Sequence, residues 1–307
     1  MKVYLSKINE SWVVDRMRDE WYEYNKNIST QNPRYADVIW IISPWLWEKE
    51  PKRYLKSKKV ICSVFHMEEI DFSEAGINKF KKRDNYVDCY HVISLKTKKQ
   101  LASITDKEII YIPFWVNNKI WFEIKNKTEL RKKYGIKKNS FVVGSFQRDT
   151  EGKDLVSPKL IKGPDRFVSI VKRLNIEKKD LTVLLAGKRR QYVISKLEEE
   201  NIKYVYLEMV DFKTLNELYN TLDLYIVTSR IEGGPQSIVE CGISKTPIIS
   251  TDVGIASEIL NKKSIFNMEN FLNAEPNVET AYKNSMKLAI PRGFVKYSEL
   301  FESLVIK

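Results

Sequence analysis

Cysteine and histidine are scarce. The 307 residues contain three cysteines, Cys62, Cys89 and Cys241, and two histidines, His66 and His91. Scattered singly, they form neither a disulfide framework nor a Cys- or His-based metal centre, and isolated thiols fit a reducing cytoplasm. Glycine and proline are also few, at 11 and 10, which excludes collagen-like and low-complexity chains. No apolar run approaches the ~20 residues of a membrane span. The opening MKVYLSKINESWVVDR has no apolar h-region, so no secretory signal is expected.

What is present is an ordinary globular balance, 43% hydrophobic and 30% charged. At about 150 residues per domain, the length suggests two domains. Lys and Arg number 52 against 40 Asp and Glu, a net charge of +12. A basic chain attracts anions: nucleic acid, phosphorylated small molecules or an acidic membrane surface. Residues 1–118 carry 20 basic and 16 acidic side chains, whereas 119–160 carry 11 and 5, so half the excess lies in that second stretch. A Lys-rich coding bias and a specific anionic surface both account for it.

Short β-branched or aromatic runs alternate with longer amphipathic segments. The predicted strands are Val3–Ser6, Asp37–Ile42, Lys59–Phe65, Tyr90–Ser94, Ile109–Pro113, Phe141–Phe146, Thr182–Ala186, Tyr204–Leu207, Asp223–Thr228, Pro247–Ser250 and Ser264–Asn267. Several, such as VICSVF, TVLLA and LYIV, are continuous apolar runs suited to strands buried on both faces. The clearest predicted helices are Glu10–Tyr24, Leu95–Ser103, Pro164–Leu174, Arg189–Glu200, Phe212–Thr221 and Pro235–Ser244, with Asn9 or Ser11 available to cap the first. Strands alternating with helices imply βαβ units, parallel sheets and helices on both faces.

Periodicity is weakest in the Lys-rich stretch Asn117–Asn139, which marks a boundary. The expected organisation is an α/β protein of two doubly wound, Rossmann-like domains facing a cleft, 1–118 and 119–290. A closing helix in 291–307 carries Phe294, Tyr297, Leu300, Phe301 and Leu304 at helical spacing and is expected to pack back on the first domain. Ligands of such folds bind at the carboxyl ends of the strands.

The most informative segment is SRIEGGPQSIVECGISKTPIISTDVGIASE, Ser229–Glu258. A strand ends at Thr228; Glu232, Gly233, Gly234 and Pro235 follow, then a helix. Pro235 suits the first helical position, and the glycines permit close backbone approach and unusual dihedrals. A helix N-terminus behind them is an anion-binding device. Glu232 and Glu240 bracket it with seven residues between them, Glu240 on the side of Gln236 and Ser237. One carboxylate reaches hydroxyls beyond a phosphate, the other those on its near side. Ile238, Val239, Gly242 and Ile243 face the sheet.

VVGSFQR, KGPDRF, LLAG, LNELYNTLDLYIVTS, EGGPQSIVE and PIISTDVGIASEIL, in that order along the chain, resemble glycosyltransferase family 4, retaining enzymes of GT-B fold. The resemblance is strong over 140–260. It implies transfer of a sugar from a nucleotide-sugar donor to a hydroxyl of a glycan or lipid-linked acceptor, with no cofactor and, lacking a D-x-D motif, no metal. It implies that Glu232 meets donor sugar hydroxyls, that Gly233, Gly234, Pro235 and Ser237 meet the diphosphate or sugar, and that Glu240 grips the ribose. Arg148 and Lys162 correspond to the cations that neutralise the leaving diphosphate. Met209 and Val210 stand where the nucleobase is met, and His66 stands near the reacting centre, whereas His91 reads as structural. The sequence departs from the family in two places. Thirteen residues separate Arg148 from Lys162, an insertion that offers Lys153 and Lys159 as rival phosphate ligands. The glycine-rich loop after the first strand is replaced by SKINESW.

Three rivals remain. An epimerase or phosphorylase can share the fold. A nucleic-acid binder would use the charge and Trp12, Trp21, Trp40, Trp45 and Trp47. A catalytically silent relative fits the shortened first domain. In Ser43–Leu55, Trp45 and Trp47 beside Lys49, Lys52 and Arg53 offer either core packing or a peripheral membrane contact at the inner face; core packing is preferred. Nucleic acid is not the expected partner.

Overall fold

The structure, a computed structural model, describes residues 1–7 and 13–306. Asn9, Ser11 and Trp12 lie outside the described residues. In chain order the elements are β1 Val3–Leu5, α1 Val13–Tyr24, β2 Val38–Ile41, α2 Lys52–Ser57, β3 Lys59–Val64, α3 Glu74–Asp84, β4 Cys89–Val92, α4 Leu95–Leu101 and β5 Ile109–Tyr111. They continue with α5 Lys127–Lys133, β6 Phe141–Ser145, α6 Pro164–Glu177, β7 Leu181–Ala186, α7 Gln191–Glu199, β8 Tyr204–Leu207 and α8 Phe212–Thr221. The remainder are β9 Leu224–Val227, α9 Gln236–Ile243, β10 Ile248–Thr251, α10 Ala256–Ile259, β11 Ile265–Phe266, α11 Val278–Met286 and α12 Val295–Ile306. Every predicted strand has its counterpart; the inner strands are apolar runs buried on both faces, while the edge strands β5 and β8 are half-buried. Among the described residues no helix is long and apolar enough to cross a membrane.

The chain divides into two compact units, 1–114 with the segment from Pro291 onward, and Trp115–Ile290. The first is built on a parallel sheet of order β1-β2-β3-β4-β5. Neighbouring residues on β4 point to opposite faces. Tyr90 is stacked by Phe80 of α3, ring centroids 5.4 Å apart, and His91 is met by Tyr297 of α12 at 5.1 Å. Helices thus cover both faces. On the His91 face, Trp40 packs on Trp21, Tyr297 and Phe301, joining α1, β2 and α12.

This aromatic core contains a fully satisfied polar chain. Trp40 Nε1 donates to Ser63 Oγ at 2.8 Å, and Ser63 Oγ lies 2.8 Å from His91 Nδ1. His91 Nε2 lies 2.7 Å from the Ile112 carbonyl, which can only accept, so Nε2 carries the proton and Nδ1 accepts from Ser63. The Tyr297 hydroxyl reaches the same carbonyl at 3.2 Å. His91 is therefore structural, as its position at the start of a strand suggested.

The second unit has a six-stranded parallel sheet of order β11-β10-β9-β6-β7-β8. From β6 the chain runs outward through β7 to β8, then returns to β9 on the other side of β6. The reversal leaves a crevice at the carboxyl ends of β6 and β9, where ligands of open α/β sheets bind. The stretch of weak periodicity contains α5. Arg131 on α5 is buried and donates to the Thr221, Lys138 and Ser140 carbonyls and to Asp223 Oδ2 at 2.5 Å. Lys127 pairs with Asp223, Lys133 with Glu217 and Lys137 with Asp180. These side chains of the basic stretch fasten α5 to α8 and to the strand starts; none of the four is left as unpaired surface charge.

Burial pushes the His91 pKa down from 6.5 to about 4. A ring held neutral in the folded chain but protonating near 6.5 when unfolded contributes stability above pH 6.5, which is lost as the pH falls toward 4. The stability advantage of wild type over His91→Phe, from urea midpoints, is expected to shrink across that window by at most about 1.4 kcal/mol per pH unit. A constant advantage contradicts this assignment.

Candidate active site

The loops after β6, β9 and β10 meet in the crevice of the second unit. Two glycines set how closely. Gly163, just before α6, has φ 65°, and a Cβ built on it would lie 2.0 Å from the Thr228 carbonyl oxygen. Gly254, after β10, has φ 53°, and its Cβ would lie 2.3 Å from the Gly233 carbonyl oxygen. Both demand the left-handed region that glycine tolerates. Hydrogen bonds stitch the contact: Thr228 Oγ1 donates to the Gly163 carbonyl at 2.8 Å, Arg230 N to Ile161 O at 2.8 Å and Thr251 Oγ1 to Ser229 O at 2.7 Å. Arg230 forks onto Asp165 of α6 at 2.8 and 2.6 Å, and that guanidinium holds the Asp165 carboxyl below its usual range.

These contacts bring together residues distant in sequence. Lys162 Nζ lies 2.5 Å from Glu232 Oε1, with both side chains largely buried. The Ser229 hydroxyl is 3.2 Å from Glu232 Oε1 and 3.2 Å from Gln147 Oε1. Gln147 Nε2 donates to the Lys162 carbonyl at 2.7 Å. Lysine, glutamate, serine and glutamine therefore form one cluster at the reversal point. In it the ammonium and the carboxylate satisfy each other. A ligand carrying both an anionic group and hydroxyls can replace that pair by two new ones.

Gly233, Gly234 and Pro235 lead into α9. Pro235 stands one position earlier than expected, as the N-cap, and its carbonyl accepts from Ile238 N at 3.0 Å. From Ile238 onward the helix is buried on every side rather than on one face. Its second wall is α11: a Cβ on Gly242 would lie 2.1 Å from Ser285 Oγ. Glu240 is 5% exposed, and its Oε2 accepts from the Tyr219 hydroxyl at 2.9 Å. Gln236 Oε1 is buried without a hydrogen-bond partner among the described residues. Ser237 stands in the first turn beside it.

Arg148 is exposed, three residues beyond β6, and its Nε donates to the Thr150 carbonyl at 2.8 Å. The thirteen-residue insertion is a folded loop: Thr150 bridges Pro158, and Lys159 N donates to Asp149 O at 2.8 Å. Its base is anchored by a buried ion pair, Asp149 Oδ2 to Arg190 Nε at 3.1 Å. Burial pushes the Asp149 carboxyl up to about 6 despite Arg190, and lowers Arg190 despite Asp149. Desolvation outweighs the attraction, so the pair sets loop geometry more than stability. Lys153 is exposed on the loop and Lys159 half-buried at its end.

Met209 and Val210 follow β8 at the sheet edge, Met209 exposed and Val210 half-buried against the core. His66 belongs to the first unit, beyond β3, and its Nε2 lies 3.3 Å from Glu68 Oε1. Trp47 is buried under Lys52 and Tyr86, which is the core-packing outcome, whereas Trp45 stays 39% exposed. Among the described residues no group of three or more His, Cys, Asp or Glu could hold a metal ion. Gln147, Ser229, Tyr219 and the Asp149–Arg190 pair were not anticipated. Gln147 and Ser229 carried a signal, as polar residues just past predicted strands; the ion pair spans two loops and carried none.

Residues 126–289 match the family model described as Glycosyl transferases group 1. No curated protein sequence matches. Among solved structures, HepE from Anabaena in complex with UDP and glucose is similar at 12% identity and TM-score 0.74, covering 98% of this chain and 99% of that one. Sucrose-phosphate synthase from Thermosynechococcus elongatus follows at 13% identity and TM-score 0.72, covering 97% and 80%. A glycosyltransferase from Rickettsia africae has 15% identity and TM-score 0.69, covering 97% and 84%. At such identities the structural matches show the fold, GT-B. The family match spans more than half of the chain, and the protein belongs to the glycosyl transferases group 1 family as a nucleotide-sugar-dependent glycosyltransferase.

Proposed function

We propose that the second unit holds the nucleotide-sugar donor in its crevice and that the sugar passes, with retention, to a hydroxyl of a glycan or lipid-linked acceptor engaged by the first unit. The observation that carries this reading is the Lys162–Glu232 pair at the sheet reversal, beside the N-terminus of α9. In the free protein these charges neutralise each other. A bound donor separates them: Lys162 turns to the diphosphate and Glu232 accepts from sugar hydroxyls. Glu240, oriented by Tyr219, offers its remaining lone pairs to the ribose.

The sugar–phosphate bond then breaks with oxocarbenium character, and its electrons leave on the diphosphate. Lys162, Arg148 and the first-turn amides of α9 stabilise that charge as it grows. The acceptor hydroxyl attacks from the face of the leaving group, and its proton passes to the departing phosphate oxygen. No enzymic nucleophile and no metal are needed in this scheme. Met209 and Val210 lie beside the base, and His66 beside the acceptor.

HepE was solved with UDP and glucose, so UDP-glucose heads the panel, with GDP- and ADP-linked sugars as comparisons. Binding to the native state raises the melting temperature by mass action. One nucleotide class is expected to raise it. Lys162→Ala and Glu240→Ala should each weaken that binding about 10- to 100-fold, as for one charge-assisted hydrogen bond of about 1.5–3 kcal/mol. No shift with any nucleotide at millimolar concentration contradicts the donor site, and donor conversion without an acceptor points to an epimerase. EDTA is expected to leave transfer unchanged; a loss restored by a divalent cation contradicts the metal-free scheme.

Gly163→Ala tests the architecture. A Cβ at 2.0 Å from a carbonyl forces α6 and the loop after β9 apart. Beyond about 1–3 kcal/mol of lost stability, the variant should lose nucleotide binding while still folded by circular dichroism. Unchanged nucleotide affinity contradicts the dependence of the site on this approach.

A further inference from the structure

The first unit contains a cavity of about 270 Å³ that the donor chemistry does not use. Its walls come from the 3-10 turn Pro44–Glu48 after β2, the loop after β3, and α3. The turn contributes Trp45, whose indole meets Phe65 edge-on with ring centroids 6.2 Å apart and remains 39% exposed. Gly76 allows α3 to close the far wall: a Cβ there would lie 2.4 Å from the Ile70 carbonyl oxygen. The volume is slightly below the ~300 Å³ at which sites for drug-sized ligands begin, room for one sugar ring and not for an extended lipid tail.

Arg83 of α3 also lines this cavity. Its guanidinium lies 5.0 Å from the Phe80 ring centroid and 5.8 Å from that of Tyr90. Its Nε is buried without a hydrogen-bond partner among the described residues. Burial opposes its charge, but a guanidinium does not deprotonate in proteins, so the group stays a cation. Asp71, a carboxylate lining the cavity, already accepts from Glu68 N at 2.8 Å through Oδ2. Lys79 adds a second cation at the exposed rim. A planar guanidinium on an aromatic floor is suited to bidentate capture of a carboxylate or phosphate, and the exposed part of the Trp45 indole is suited to the apolar face of a sugar ring.

We infer that this cavity binds the acceptor as an anionic saccharide, its ring against Trp45 and its carboxylate or phosphate on Arg83. The inference rests on the proposed glycosyltransferase reading and narrows it to an acceptor class. Glu48 and His66 also line the cavity and supply groups that can bond the hydroxyls of the ring.

The test is saturation-transfer NMR on the full chain in the presence of the nucleoside diphosphate that raises its melting temperature, which keeps phosphate probes out of the donor site. The probes are methyl β-glucuronide, glucose 6-phosphate and methyl β-glucoside. One of the two anionic probes is expected to bind at least tenfold more tightly than the neutral one, and which of them does so tells a carboxylate from a phosphate ligand. Arg83→Met should abolish that preference and leave the neutral probe unaffected; Arg83→Lys should keep part of it. Trp45→Ala, at an exposed position, should weaken all three at least fivefold and guards against misfolding of the Arg83 variants. Equal affinity for the three probes, or a preference unchanged in Arg83→Met, overturns the inference. Intact nucleotide binding without saccharide binding overturns it alone, whereas loss of both in wild type overturns the donor reading.

Discussion

The candidate site depends on the approach of the Gly163 backbone to Thr228. At that distance no side chain fits between α6 and the loop after β9, and only a residue at ease with φ 65° can stand there. Because the two loops touch, Lys162 reaches Glu232, Gln147 reaches Ser229 and Arg230 reaches Asp165. Loops held too far apart for Lys162 to reach Glu232 would leave two part-buried charges without each other, an arrangement that costs several kcal/mol. The same geometry repeats at Gly254 against Gly233. Two glycines thus hold three strand-end loops in contact.

Buried polarity takes two forms in this chain. In the first, Trp40, Ser63, His91 and Tyr297 form a closed chain ending on the Ile112 carbonyl, and it fixes α12 on the sheet. In the second, charge is left strained. Asp149 and Arg190 face each other in a dry site that favours the ionised state of neither, and Gln236 Oε1 has no partner among the described residues. Satisfied networks make rigid cores, and unsatisfied groups concentrate where a ligand is to bind.

Much of the scaffold was legible in the residue pattern, for definite reasons. VICSVF, TVLLA and LYIV read as strands because a parallel sheet buries both faces and leaves no polar alternation to confuse the period. The Glu232–Glu240 spacing around Gly233–Gly234–Pro235 read as a site because a strand end, two glycines and a helix start share one purpose. Helix α5 was missed because Lys127, Arg131, Lys133 and Lys137 look like solvent-facing charge; their carboxylate partners lie 43 to 96 residues away. The close approach at Gly163 was equally hidden, since one glycine in KGPDRF does not reveal which carbonyl lies against it. Glu240 was placed on the ligand side of α9, but its burial and its Tyr219 partner depend on how α8 packs beside it.

The central claim is that the donor sits where the order of the second sheet reverses. Hydrogen–deuterium exchange with and without the nucleotide-sugar addresses it directly. The account predicts protection concentrated in the peptides covering Lys162–Gly163 and Glu232–Glu240, with the strands of the first unit unchanged. Protection confined to the first unit, or spread evenly without a maximum at those two segments, would contradict it.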